Sequence, residues 1–140
     1  MTRLVLDCSV TMAWCFEDEC DSYADSVLSA LTAFEACVPP IWSVEVANVL
    51  LVAERRGRIT AADSTRFVEL LADLPIVVDE GGLRRSHGPV LDIGRRSGLS
   101  AYDASYLDLA MRLAVPLATR DDRLREAASA NSVEWFHPEN

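Results

Sequence analysis

The stretch Arg3-Leu4-Val5-Leu6-Asp7-Cys8-Ser9-Val10 decides how the rest of the chain is read. Three consecutive apolar residues are closed by an acid, with no alternation of polar and apolar positions. An alternating strand has one wet face. A short continuous apolar run is covered on both faces, as in a parallel sheet sandwiched by helices. Four more short apolar runs follow, at 37–38 leading into Pro39, 76–78, 115–118 and 133–136. Between them lie segments with helical spacing. Residues 21–35 carry Ala24, Val27, Leu28, Leu31 and Phe34 on one face, and residues 43–56 are apolar over most of their surface. Thr60 is a plausible cap for a helix over 60–72, with Phe67, Leu70 and Leu71 inward. The 84–96 segment reads as a weaker helix, interrupted by Gly88 and Pro89. Tyr106, Leu109, Ala110 and Leu113 share a face of 100–113, and 122–130 forms a short last helix. Strands alternating with helices predict an α/β fold: one domain over 1–140, a three-layer α/β/α sandwich around a mainly parallel sheet of about five strands.

Composition narrows the function. The chain has 140 residues, half of them apolar, enough for a core without disulfide or zinc staples. It carries 13 basic and 22 acidic residues, a net charge of −9, and every basic residue is arginine. Without lysine there is no Walker-type phosphate loop, no kinase strand lysine and no Schiff base to pyridoxal. Receiver-like phosphoacceptors and haloacid-dehalogenase-type phosphatases lose their lysine as well, and the latter want Asp-x-Asp where this chain has Asp7-Cys8-Ser9. The acidic balance argues against a protein that binds nucleic acid by bulk phosphate neutralisation, but not against an enzyme that touches it locally through metal ions. Cys8, Cys15, Cys20 and Cys37 include no C-x-x-C pair, and His87 and His137 are distant, so neither a zinc site nor a cysteine hydrolase is expected. Both histidines read as surface residues. Neither a secretory leader nor a membrane span is expected, and the reading is of a soluble, cytoplasmic protein with reduced thiols.

Ligand sites in layered α/β folds lie at the carboxyl ends of the strands. Asp7 closes the first strand and Asp121 follows the fourth. Glu45 falls in the first turn of the helix after the second strand, and Asp103 in the first turn of the helix before the fourth. Each has a purely local reading. Ser100-x-x-Asp103 is a capping box, Glu45 is favoured by a helix dipole, and Asp7 starts a turn. Thr119-x-x-Asp122 is another box, which makes Asp122 the cap and leaves Asp121 free. Together, though, four crowded carboxylates repel one another. The simplest compensation is one or two hard divalent cations held by oxygen, Mg²⁺ with Mn²⁺ possible, which is the setting for activating water against a phosphodiester.

Four fragments, in order and spacing, carry a resemblance: Leu4-Val5-Leu6-Asp7-Cys8-Ser9-Val10, Pro40-Ile41-Trp42-Ser43-Val44-Glu45-Val46-Ala47-Asn48-Val49-Leu50, Ser100-Ala101-Tyr102-Asp103-Ala104-Ser105-Tyr106-Leu107 and Leu117-Ala118-Thr119-Arg120-Asp121-Asp122-Arg123-Leu124. They resemble the PIN domain and, within it, the VapC-like toxins of bacterial toxin–antitoxin pairs. The likeness runs from about residue 3 to 136. It implies a metal-dependent endoribonuclease with Asp7 and Asp103 as leading ligands and Glu45 and Asp121 completing the site. Ser9, Thr119 and Asn48 would orient carboxylates. It also implies an RNA substrate, a homodimer and a cognate antitoxin, with promoter DNA bound only through the antitoxin. The competing reading is a PIN-like module that binds metal or a partner without cutting.

The remaining expectations are more local. Asp108 stands where an apolar or small residue is expected and is read as solvated. Arg120 and Arg123 flank the acidic rim and are the candidate RNA contacts. The other arginine clusters read as solvated helix ends. Trp42 is read as core, while Trp14 and Phe16 fit either the core or a groove for the antitoxin's helix.

Overall fold

A computed structural model describes residues 2–19 and 21–138, and Cys20 lies outside them. The chain runs β1 (Thr2–Leu6), α1 (Cys8–Ala13), α2 (Ser22–Ala30), β2 (Phe34–Val38), α3 (Ile41–Arg55), α4 (Ala61–Ala72), β3 (Ile76–Val78), α5 (Leu91–Ser97), α6 (Ala101–Leu113), β4 (Leu117–Ala118) and α7 (Asp122–Ala130). The strands form one parallel sheet in the order β3-β2-β1-β4. β1 is central because Leu4, Val5 and Leu6 are wholly buried, and removing side chains of this size from water is worth ~1.5–3 kcal/mol each. Chain order reverses between β2 and β4, on either side of β1. The carboxyl ends of β1 and β4 therefore flank the topological switch point, the usual place for a site in an open sheet. There the Asp7 N–H donates to Ala118 O at 3.0 Å and ties the two strand ends together.

Local chemistry sets the helix limits. Thr60 and Asp63 form a complete reciprocal capping box at α4. α6 starts at Ser100, whose side chain accepts from the Asp103 N–H, and stops at Ala114, a non-glycine residue in the left-handed region. Gly98, at φ 65°, ends α5. On α3, Trp42, Val46, Leu50 and Ala53 are buried, one stripe at helical spacing. Trp42 is core, as its surroundings predict, and its indole N–H donates to Thr11 Oγ1 at 3.0 Å.

Several boundaries differ from the sequence reading. The expected fifth strand at 133–136 is a single parallel bridge between Leu117 and Trp135. β4 is too short to offer a longer edge: Pro116 has no N–H, and the Val115 N–H closes α6 on Ala110 O. The helix expected over 21–35 stops at Ala30, because residues from Phe34 onward pair with β1. α3 starts at Ile41 rather than 43, with Pro40 at the position preceding it, where a missing N–H is no loss. The weak helix at 84–96 breaks around Pro89 into a 3₁₀ turn (Gly82–Arg85), a π-helical turn (Ser86–Val90) and α5. β3 is an edge strand with Val77 and Val78 exposed, not a strand covered on both faces.

Asp108 is the largest departure. Expected in solvent, it is only 4% exposed on α6. Arg85 donates to it in a two-pronged fork, Nε to Oδ2 at 2.7 Å and Nη2 to Oδ1 at 2.9 Å. Arg112 approaches the same carboxylate at 3.8 Å and bridges Asp79 at 2.6 Å. A buried carboxylate persists when a guanidinium matches its geometry. This network fastens the irregular segment after β3 to α6.

Candidate active site

Asp7 sits at the end of β1 with extended backbone, one residue before α1, and its carboxylate does not cap that helix. Two hydroxyls hold it instead: Ser9 Oγ at 2.6 Å and Thr119 Oγ1 at 2.8 Å, both donating to Oδ2. Each hydroxyl is placed by the backbone of the loop after β4. The Arg120 N–H donates to Ser9 Oγ and the Asp121 N–H to Thr119 Oγ1. The Cys8 backbone N–H adds a further hydrogen bond to the carboxylate. Burial pushes the Asp7 carboxyl above its ordinary range, against the pull of the two hydroxyls, and the charge of Asp121 adds to the rise.

Glu45 lies in the second turn of α3, not the first, because the helix begins at Ile41. It takes little help from the helix dipole there. Its Oε1 accepts a hydrogen bond from the Tyr106 hydroxyl at 2.6 Å. Burial raises its pKa, the Tyr106 bond opposes this, and the charges of Asp7 and Asp103 push it further up.

Asp103 is in the first turn of α6. Only half of its expected capping box forms: Ser100 Oγ accepts from the Asp103 N–H, with no return bond from the carboxylate among the described residues. The carboxyl is raised to about 6 by burial and then by Asp7 and Asp121, while Arg123 works in the other direction.

Asp121, rather than Asp122, is the N-cap of α7, because the helix starts at Asp122 itself. Its Oδ1 accepts from the N–H groups of Arg123 at 2.9 Å and Leu124 at 3.1 Å. Oδ2 takes no hydrogen bond among the described residues. Asp121 also faces Asp7 and Asp103, whose carboxyls feel its charge. One residue therefore both ends a loop and joins the rim.

The four acids thus come together from β1, α3, α6 and the start of α7, and no salt bridge among the described residues involves any of them. As the side chains stand, no three His, Cys, Asp or Glu residues among those described are close enough to cage a metal ion. The donor set is nevertheless suited to a hard cation. It is all oxygen, has no ion pair among the described residues, and leaves Oδ2 of Asp121 without a hydrogen bond among them. Mg²⁺ in particular binds through one or two carboxylates, keeps several waters and takes the rest of its shell from phosphate. The neighbouring Cys8 thiol is pushed up to about 12 by burial and by Glu45 and Asp7, so it is a packing group and not a nucleophile.

Other predicted residues fall differently. Asn48 is exposed and hydrogen-bonds to none of the four acids. Arg120 is engaged: Nε pairs with Asp21 at 2.6 Å and Nη1 lies 3.8 Å from Glu19. Arg123 is exposed and donates to Gly98 O at 2.8 Å. Trp14 is half-buried and donates to Ala24 O, while Phe16 is buried with the Arg58 guanidinium over its ring. His87 and His137 are both exposed. Tyr106 is the rim-contacting residue that sequence reasoning missed. Its place on the apolar face of α6 hid a hydroxyl whose partner is 61 residues away.

Comparisons with known proteins agree with the fold. The structure is similar to that of PAE2754 from Pyrobaculum aerophilum, with a TM-score of 0.66 and 23% identity over 90% of this chain and 86% of that one. VapBC2 from Rickettsia felis, bound to a DNA fragment from their promoter, gives a TM-score of 0.68 at 9% identity, covering 96% of this chain and 98% of that one. FitAcB from Neisseria gonorrhoeae gives 0.63 at 18% identity, covering 96% and 97%. At such identities the likeness is one of fold. No curated protein matches the chain in sequence. The family model described as PIN domain matches residues 4–130, a span that holds Asp7, Glu45, Asp103 and Asp121 together with the four fragments quoted above, and the chain belongs to that family.

Proposed function

We propose that this protein is a divalent-metal-dependent endoribonuclease that hydrolyses RNA phosphodiester bonds and serves as the toxin of a toxin–antitoxin pair. One observation carries the reading. Four carboxylates from separate elements meet at the switch point, where burial and then the neighbouring acids push Asp7, Glu45 and Asp103 above their ordinary range, yet among the described residues none of the four has an arginine fork of the kind that holds Asp108.

Asp7 and Asp103 are the leading ligands for Mg²⁺, or Mn²⁺ in its place, and Glu45 and Asp121 complete the site. A divalent ion there lowers the pKa of water and neutralises charge that develops on phosphorus. Ser9 and Thr119 hold Asp7 Oδ2 and so fix the direction of the carboxylate. Asn48, exposed one turn beyond Glu45, is available to water or substrate. Arg123, beside Asp103, is the stronger candidate for phosphate contact, because the Arg120 guanidinium is already held by Asp21. VapBC2 and FitAcB suggest an antitoxin as partner. The cleft lined by Trp14, Phe16 and Phe67 suits an apolar helix; of the acids around it, Asp18 and Asp63 already pair with Arg58 and Arg66 in the same lining. The reading includes a homodimer, action in the cytoplasm and contact with promoter DNA only through the antitoxin.

A second reading, a non-catalytic module that binds metal or a partner, draws on the lack of a ready three-ligand cage among the described residues. One experiment separates the two: incubate purified protein with total RNA in Mg²⁺ or Mn²⁺, with and without chelator, beside Asp7→Asn. Cleavage is expected to stop in chelator and to fall by at least about 100-fold in the variant. Cleavage that survives the chelator overturns the metal-dependent reading, and no cleavage with either ion favours the module.

A further inference from the structure

Two tyrosine hydroxyls, one on half-buried Tyr23 and one on buried Tyr106, find partners in different ways. Tyr23 donates to a backbone carbonyl, Phe136 O, at 2.8 Å. That is the ordinary solution for a phenol placed in a core, where the O–H needs an acceptor and any carbonyl serves. Tyr106 is wholly buried on α6, one turn after Asp103, and donates instead to a side-chain carboxylate, Glu45 Oε1, at 2.6 Å. One short helix thus supplies both an acid of the rim and the donor that holds another.

From this contact we infer that Tyr106 is a positioning residue for Glu45, an inference that rests on the nuclease reading of the rim. Glu45 has three rotatable side-chain bonds, and the nearby charges of Asp7 and Asp103 push it outward. Free to turn, a half-buried glutamate swings its carboxylate toward water. The Tyr106 hydroxyl takes one lone pair of Oε1 and anchors that oxygen to the rigid core. Oε2 is then directed to the rim, where a cation or an ordered water can use it. A phenol suits this role because it carries no charge to compete with a cation, and as a donor in an apolar surrounding it keeps its proton. Ser9 and Thr119 do the same for Asp7 with smaller hydroxyls. Two of the four rim acids, Asp7 and Glu45, are thus held by neutral O–H donors.

The test uses Tyr106→Phe, which removes only the oxygen, together with Glu45→Gln and the double variant. Mn²⁺ affinity is read on chelator-stripped protein from the electron paramagnetic resonance of free Mn²⁺, and kcat and KM are measured on a fixed RNA. Tyr106→Phe is expected to weaken Mn²⁺ about tenfold and to lower kcat with KM for RNA unchanged. In the Glu45→Gln background it is expected to add nothing: the glutamine amide oxygen can still accept from Tyr106, but the carboxylate that Tyr106 positions is already gone. A Tyr106→Phe protein within about twofold of wild type in both Mn²⁺ affinity and kcat overturns the inference. So does an undiminished penalty in the Glu45→Gln background, which marks Tyr106 as a packing residue. If the wild-type chain itself neither binds Mn²⁺ nor cuts RNA, the nuclease reading falls first and takes this inference with it.

Discussion

The α6 helix carries acids in two contrasting surroundings. Asp103, in its first turn, is half-buried, crowded by Asp7 and Asp121, and has no hydrogen-bonding partner for its carboxylate among the described residues. Asp108, further along the same helix, is more deeply buried and gripped by Arg85, with Arg112 behind. The chain has arginines to spare and uses them where an acid must be buried for structure. At the rim it uses Ser9, Thr119 and Tyr106 instead, and these orient a carboxylate without cancelling its charge. One acid is therefore buried with its charge matched, and the other keeps its charge unmatched, at some cost in stability.

Three measurements put that contrast at risk, all read as the melting temperature of chelator-treated protein. The largest effect belongs to Asp108→Ala. It takes the Arg85 guanidinium's fork away, leaves Arg112 with Asp79 alone and frees the segment after β3, and the Tm is expected to fall by about 10 °C. A fall of less than about 2 °C would mean that the network is a solvated surface pair after all. Next comes Mn²⁺ itself. At about a hundredfold excess over its dissociation constant it is expected to raise the Tm of wild type by roughly 9 °C, and of Asp108→Ala by a similar increment, since the two regions are independent. No rise in either protein removes the cation from the rim.

The smallest effect is that of Asp103→Asn, which relieves repulsion. At neutral pH and without metal it is expected to raise the Tm by about 3 °C, a modest figure because the side chain is half in water. The pH dependence has a definite sign. In the folded chain Asp103 takes up a proton near pH 6, but in the unfolded chain only near about 3.9. Between those values the folded state binds more protons, so this group makes the metal-free protein more stable as the pH falls from neutral toward 4, and less stable as it rises. Asp103→Asn is expected to flatten that part of the profile. A Tm that drops in Asp103→Asn would assign the residue to helix capping instead.

Much of the site is legible in the order of residues. An apolar run ending in Asp7 reads as a buried strand with an acid at its carboxyl end, since a β-strand announces itself within a few residues. Asp103 and Asp121 emerge the same way, by their distance from an element boundary. Errors gather where the boundary itself moves. Glu45 shifts by a turn because α3 starts at Ile41, and the cap of α7 passes from Asp122 to Asp121. Phe34 keeps helical spacing with α2 and nonetheless joins β2, because pairing with β1 outweighs periodicity.

The alternation of strands and helices, the acids at the strand ends and the family are all written in neighbouring residues, and so they follow from the chain's order alone. Which charges are compensated is settled only by the folded arrangement. Arg85 meets Asp108 across 23 positions, Tyr106 meets Glu45 across 61, and Thr119 meets Asp7 across 112. The arginine and the tyrosine read locally as a solvated end and a core ring; the threonine reads locally as a cap, and only the family resemblance gives it a carboxylate to orient. Their partners are set by how the layers stack, and a side chain's spacing along its own helix or loop carries no record of what the opposite element presents to it.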